Sequence, residues 1–366
     1  MTTLMGRALY QRAYYYCPHC RRGNFPSDAE LGLTSKQTPA AQEVIALAGV
    51  LEPFDEGGRL VLPRLTGLNV SASTVRRTTE TVGEDVAVRR AAGETFGPDR
   101  VWDWHRDAEG RRVGYVALDA TAVPQQGPHH EKAEGRMPWV AAVFNPQPTH
   151  EKVRRQRLWE ARYVCGLMSL AEIGQQLRGE CRAVGLEQAD VVIGLSDGGN
   201  GLENCLLEAV AGLAREVVFI LDFYHASEHL REFAKELCPT DAAARDRQLE
   251  AWCHTLKHRG GRALYEQLEA QDHSGAAESV QEAHRNLLGY FRNNLHRTDY
   301  PRYVSRGWQI GSGTIESACK TVVCRRLKEG GMRWRERGTT ALCQLRALYR
   351  SEGCLWTDYW SRTAAG

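Results

Sequence analysis

Five apolar runs of strand length, one closing on an aspartate and another with an aspartate just past its end, constrain the fold more than any other feature of the 366-residue sequence. Val113-Gly114-Tyr115-Val116-Ala117-Leu118-Asp119, Trp139-Val140-Ala141-Ala142-Val143-Phe144 and Arg162-Tyr163-Val164-Cys165 read as three successive strands. A helical pattern over about 170 to 185 leads to Asp190-Val191-Val192-Ile193-Gly194-Leu195, and another helix leads to Val217-Val218-Phe219-Ile220-Leu221. Hairpin-like strands followed by helix-separated strands predict a mixed sheet in an α/β protein. The segment from about 226 to 297 is charged and helical in pattern, with no strand signal, and a final helix is expected near 313 to 327.

Composition decides less. With 42% hydrophobic and 25% charged residues, the chain can bury a real core in two or three domains. It has no run of the roughly 18 apolar residues that a membrane span needs, and no signal-peptide core at its start, so a cytoplasmic protein is expected. The 11 cysteines, scattered from Cys17 to Cys354, fit reduced thiols better than a disulfide framework. A net charge of +2 does not by itself announce a nucleic-acid partner. Its distribution says more. Lys320, Arg325, Arg326, Lys328, Arg333, Arg335, Arg337, Arg346 and Arg350 stand against Glu329 and Glu336, nine against two, a local excess of +7. Such a run is either a solvated helix face or a surface for DNA.

Near the N-terminus, Ala13-Tyr14-Tyr15-Tyr16 reads as a strand leading into Cys17-Pro18-His19-Cys20 and a Gly-containing turn, the form of one zinc-ribbon knuckle. A structural zinc site wants four ligands, no second CxxC occurs, and His19 could add a third ligand only with awkward geometry. Cys17 and Cys20 are therefore either a partial Zn2+ site or two unbound thiols. From about 39 the pattern is helical through Leu51, and Val70-Ser71-Ala72-Ser73-Thr74-Val75-Arg76-Arg77 has the form of a capped helix start. Three such helices could form a helix-turn-helix that sets Arg76 and Arg77 on DNA, with Pro63 expected to interrupt the middle helix.

The chemistry is concentrated in three carboxylates. Asp119 ends an apolar strand, and Asp197 lies just past another in Leu195-Ser196-Asp197-Gly198-Gly199. Glu316 opens a helix after a Gly-Ser turn in Gly311-Ser312-Gly313-Thr314-Ile315-Glu316-Ser317-Ala318. Taken singly, an Asp after a strand forms a turn and a Glu in a first helical turn favours the helix dipole. Taken together, carboxylates projecting from rigid elements toward one point suit Mg2+, which takes oxygen ligands and keeps positions open for water and phosphate.

The order and context of these residues resemble the ISKra-type insertion-sequence transposases, relatives of the Mutator-like group among the DDE transposases. The phrases that carry the likeness are Arg12-Ala-Tyr-Tyr-Tyr-Cys-Pro-His-Cys20, Ser71-Ala-Ser-Thr-Val-Arg-Arg77, Leu221-Asp-Phe-Tyr-His-Ala-Ser-Glu-His229, Asp299-Tyr-Pro-Arg-Tyr303 and Ile310-Gly-Ser-Gly-Thr-Ile-Glu-Ser-Ala-Cys-Lys320. They run along nearly the whole chain. The resemblance implies an RNase H-like core interrupted by a helical insertion, with Asp119, Asp197 and Glu316 as the catalytic triad holding two Mg2+ (or Mn2+) ions. It also implies double-stranded DNA as partner, both terminal repeats and target, and a homo-oligomer assembled on it in the nucleoid. The family normally carries a second Cys pair upstream of the one seen here, so the ribbon is expected to be truncated or abandoned.

On this reading residues 1–35 form a partial zinc-ribbon-like segment and 36–111 a helical DNA-binding region. Residues 112–225 begin the RNase H-like core, 226–300 form the insertion, and 301–366 supply the last core helix and a basic segment. In Asp222-Phe223-Tyr224-His225, which matches a Cys/Asp-x-x-His motif of Mutator-like enzymes, His225 either orients a phosphate or makes a buried hydrogen bond at the strand-to-helix corner. Glu228 and His229 are expected to be scaffold. Lys320, Arg325, Arg326 and Lys328 are expected to grip phosphates, with Lys152, Arg154, Arg155 and Arg157 as the fallback. Trp334 either packs in the core or stacks on an unpaired base. Two other functions remain open: a transposase-derived regulator that binds DNA without cutting, and a structure-specific nuclease that cuts without joining.

Overall fold

The computed structural model describes residues 1–31, 33, 36–146, 160–199 and 201–365; Lys152, Arg154, Arg155 and Arg157 lie outside them. The chain opens with two small hairpins, β1 (Thr2–Thr3) with β2 (Gly6–Arg7) and β3 (Tyr15–Cys17) with β4 (Arg22–Asn24), followed by a short α1 (Pro26–Glu30). Cys17 ends β3, and Cys20 lies in the turn that joins it to β4. Three helical stretches come next. They are α2 (Pro39–Leu51), a continuous stretch running from α3 (Phe54–Glu56) to α4 (Leu62–Thr66), and α5 (Ala72–Ala91). Ser71 caps α5 through the Thr74 N–H, as the sequence predicts.

Pro63 does not break the middle helix. A π turn over Gly57–Val61 precedes it, so the backbone N–H that proline lacks falls where the helical ladder is already re-spaced, and the helix ends instead at Gly67, φ 73°. Nor is this three-helix unit a free-standing module. Gly83 of α5 lies so close to α14 (Glu336–Arg350) that a Cβ there would be 2.4 Å from the Ala341 carbonyl oxygen.

The central sheet joins β5 (His105–Arg106), β6 (Arg112–Ala120), β9 (Trp139–Asn145), β10 (Glu160–Gly166), β11 (Val191–Ser196) and β12 (Glu216–Leu221). A separate hairpin, β7 (Val123–Gln126) with β8 (Lys132–Arg136), interrupts the run. The order across the sheet is β10-β9-β6-β11-β12, with β5 also pairing with β6. β6, β9 and β10 are antiparallel neighbours, while β11 lies parallel to both β6 and β12. The predicted mixed sheet and all five predicted strands are present.

Both faces of the sheet are covered, which is why its strands read as unbroken apolar runs. Trp102, Trp104, Val116, Leu118, Ala141, Val143 and Val192 face α6 (Leu170–Ala183) and α7 (Leu202–Val210). Val113, Tyr115, Ala117, Val140, Phe144, Ile193 and Leu195 face the other layer. That layer contains α8 (Phe223–Leu237), α9 (Ala242–Glu269), α10 (Glu278–Asn294), α11 (Tyr300–Ser305), α12 (Gly313–Ala318), α13 (Arg325–Leu327) and α14, with α15 (Leu355–Ala365) closing the chain. The expected helical insertion is thus α8 to α10. It starts at Phe223 rather than 226, because Asp222 caps α8 immediately after β12. No helix of the described residues is long and apolar enough to cross a membrane.

Candidate active site

Strand parity explains where the aspartates point. Ala117 and Leu195 are register partners on the parallel strands β6 and β11, and both face the α8–α14 layer. Side chains alternate along a strand, so Asp119 and Asp197, two residues further on, project to that same side at the C-terminal end of the sheet. Asp222 follows the end of β12, the next parallel strand. The carboxyl ends of parallel strands are where open α/β sheets place ligands. Here Asp119, Asp197, Asp222, His225, Glu228, Ser312 and Glu316 line one cleft of about 240 Å³.

Glu316 enters from the opposite side, on α12. Ser312 precedes that helix but does not cap it with its side chain. Its buried hydroxyl contacts Asp222 and reaches Oε1 of Glu316 at 2.9 Å. Asp222 therefore ties together two structures: its Oδ1 accepts the Tyr224 N–H at 2.7 Å to start α8, and its Oδ2 meets Ser312. Burial pushes the Asp222 carboxyl above the usual carboxylate range, against the Ser312 and Tyr224 hydrogen bonds.

Asp119 is under similar stress. Burial raises its carboxyl above the ordinary range, and the charges of Asp197 and Glu316 push in the same direction. Its Oδ1 accepts the Ala120 N–H at 2.6 Å, while Oδ2 meets the weak Cys319 thiol donor at 3.5 Å. Among the described residues no three His, Cys, Asp or Glu side chains are gathered tightly enough to hold one ion between them. The carboxylates of Asp119, Asp197 and Glu316 are hard oxygen donors, which suit Mg2+ or Mn2+ better than a thiophilic metal.

Of the two residues expected to be scaffold, Glu228 borders the cleft while His229 packs behind it on Tyr290. Glu228 lines the cleft, and its carboxylate is 3.5 Å from Nδ1 of His225. His225 is partly exposed, so the strand-to-helix corner is fixed by Asp222 and not by a buried bond from His225. His229 packs on Tyr290 with ring centroids 3.9 Å apart, and burial lowers its imidazole below the usual value. The Tyr290 hydroxyl in turn donates to the backbone oxygen of Asp197 at 3.4 Å. Ser312 and Cys319 belong to the 310–320 phrase around Glu316 without being singled out there, and Tyr290 lies in no quoted motif. Packing of a distant helix, α10, brings Tyr290 here.

The basic residues divide. Lys320, Arg325 and Lys328 are exposed on the helical stretch that continues from Glu316 through a π turn over Cys319–Cys324. Arg76 and Arg77 are exposed on α5. Arg326 differs from the expectation: it is 1% exposed, donates to the Gly49 carbonyl at 2.9 Å, and lies over Phe54 and Trp334 at 4.8 and 5.0 Å. Arg346 is buried too, bonded to the carbonyls of Val50, Thr321 and Val322. Both answer the orphan carbonyls at the end of α2 or in the π turn, a need invisible in the sequence. Trp334 is a core residue, donating to the Leu327 carbonyl at 2.9 Å. Cys17 and Cys20 are exposed, and the Cys20 N–H chiefly holds the Cys17 thiol below its usual value.

No family model matches the chain, and no curated protein matches it.

Proposed function

We propose that the chain is a DDE transposase that cuts insertion-sequence ends and joins them to target DNA, on an RNase H-like core of the ISKra type. The observation that carries this reading is the meeting of Asp119, Asp197 and Glu316, from two parallel strand ends and a distant helix, in one cleft. The sheet order β10-β9-β6-β11-β12, with its first three strands antiparallel and its last two parallel to β6, supports the RNase H-like assignment. So does the helical insertion between β12 and the helix of Glu316.

Divalent ions held by these carboxylates would supply a Lewis acid and activate water or a DNA 3′-hydroxyl for in-line phosphoryl transfer. The remaining work falls to the chain. Ser312 and Asp222 orient Glu316, while His225 on the rim is placed to donate to a phosphate oxygen. Lys320, Arg325 and Lys328 hold the backbone of the strand that enters the cleft, and Arg76 and Arg77 contact DNA from α5. Cys17 and Cys20 remain a partial zinc ribbon. Joining two ends requires two active sites, so the working form is a homo-oligomer on DNA.

A strand-transfer assay with the terminal repeats of the element and Mg2+ tests the reading. A transposase cuts the ends and joins them to target DNA. Cutting without joining would mark a nuclease, and binding alone a regulator.

A further inference from the structure

Beside the carboxylate cleft a second pocket of about 730 Å³ opens, and Tyr224 lines both. That volume falls within the range of small-molecule sites. Its lining includes Tyr163, Tyr224, Trp308, Gln309, Thr314 and Ser317. Trp308 is a fixed wall: it is 4% exposed, its indole N–H donates to Asp107 at 3.2 Å, and its ring stacks on Tyr303 at 5.9 Å. Tyr224 is the opposite, a large ring left 62% exposed. It lies against the backbone at Gly311, where an added Cβ would sit 2.5 Å from ring carbon Cε2. Glycine at 311 is what lets the ring occupy the boundary between the two cavities.

The chemistry of the two cavities differs sharply. Five carboxylates line the cleft: Asp119, Asp197, Asp222, Glu228 and Glu316. None of the described residues lining the second pocket carries a formal charge. The cleft suits cations and a phosphate. The pocket suits a flat, uncharged group with polar edges, for which the exposed Tyr224 ring supplies a stacking face and Gln309, Thr314 and Ser317 supply hydrogen bonds.

We propose that this pocket receives one unstacked base of the DNA strand whose phosphate lies at the carboxylates, with Tyr224 stacking on it. The proposal rests on the phosphodiester reading above. A base inside a duplex has both faces covered by its neighbours, so only a single-stranded or extruded base can offer a face to Tyr224. The enzyme therefore takes as substrate a strand that is unpaired next to the cut, and the pocket favours such DNA over a blunt duplex.

The test compares the full-length protein on a blunt duplex and on the same duplex with a short 3′ overhang, each fluorescein-labelled and carrying 2-aminopurine at the junction. Ca2+ replaces Mg2+ to hold back cutting. Wild type and Tyr224→Phe should bind the overhang on the order of tenfold tighter than the blunt duplex and change the 2-aminopurine emission. Tyr224→Ala should bind the two alike. Gly311→Ala, which must displace the Tyr224 ring, should lose the preference with the tyrosine still present. A preference retained by Tyr224→Ala, or absent from wild type, would overturn the proposal. Plasmid cutting in Mg2+ is followed in parallel. Cutting without an overhang preference removes the base pocket alone, while an overhang preference without cutting removes the phosphodiester reading alone.

Discussion

The thiol of Cys319 lies 3.5 Å from Oδ2 of Asp119, so the helix that carries Glu316 is seated on the strand that carries the first aspartate. A second contact, Thr121 Oγ1 to Cys324 Sγ at 3.6 Å, lies one loose turn further along. The two cysteines bracket the π turn over Cys319–Cys324, a distortion that recurs at functional sites because it re-aims side chains within a helix.

That seat is a matter of volume more than of hydrogen bonding, since a thiol is a weak donor. Cys319→Ala should keep Mg2+-dependent cutting within about threefold of wild type. Cys319→Leu overfills a buried position and should cost about 1–3 kcal/mol of stability while moving Glu316 away from Asp119. Its cutting rate should fall at least roughly tenfold. Thermal melts and a plasmid-cutting time course check both variants, and a Leu variant as active as wild type would contradict the seating.

Asp119→Asn, Asp197→Asn and Glu316→Gln each remove a charge but almost no volume. Each should lower cutting by about 10²–10³-fold or more, the equivalent of several kcal/mol of lost transition-state stabilisation, while DNA binding stays nearly intact. Steady-state cutting and gel-shift titrations measure the two effects separately. Any of the three cutting at the wild-type rate is not a member of the site.

Arg325 and Arg326 are sequence neighbours with opposite expected behaviour. Arg326→Ala leaves the Gly49 carbonyl unanswered and hollows the space over Phe54 and Trp334, so about 2–4 kcal/mol of stability should be lost. Arg325→Ala with Lys320→Ala removes two exposed cations and should leave the melting temperature almost unchanged. That pair should weaken binding to all DNA sequences alike and flatten the salt slope by roughly one to two counterions. Unfolding curves and affinities across a salt series tell the two apart. An unchanged salt slope would assign Lys320 and Arg325 to a merely solvated face.

Metal analysis addresses the knuckle. Two exposed thiols, with no third His, Cys, Asp or Glu gathered beside them among the described residues, should bind zinc weakly, so the purified protein should carry well under one zinc per chain. Cys17→Ser with Cys20→Ser should then leave the melting temperature unchanged. One zinc per chain would mean that a second molecule completes the tetrahedron.

Much of this was legible before the structure. The five strands stood out because both faces of the sheet are covered, which makes each strand an unbroken apolar run, and α5 was announced by the Ser71 cap. Asp119, Asp197 and Glu316 were legible from their positions at element ends, and the cleft gathers all three. What escaped is what depends on distant segments meeting. The β7–β8 hairpin shows little strand pattern because β7 is short and carries Pro124, while β8 is polar and mostly exposed. Arg326 reads as a surface cation in the sequence, because the carbonyl it answers, that of Gly49, belongs to α2, far earlier in the chain. Glu228 looked like scaffold since nothing local reveals that the first turns of α8 border the carboxylates. Pro63 misled because the π turn that accommodates it has no sequence signature.

The central claim, that Asp119, Asp197 and Glu316 form one divalent-metal centre, is tested most directly by anomalous diffraction from crystals of the protein grown with Mn2+. Manganese peaks should appear in the cleft within about 2.2 Å of carboxylate oxygens of Asp119 and Asp197, with Glu316 drawn in to complete a pair of ions about 4 Å apart, and Asp119→Asn should abolish them. Manganese absent from the cleft at saturating concentration, or bound there equally well by Asp119→Asn, would contradict it.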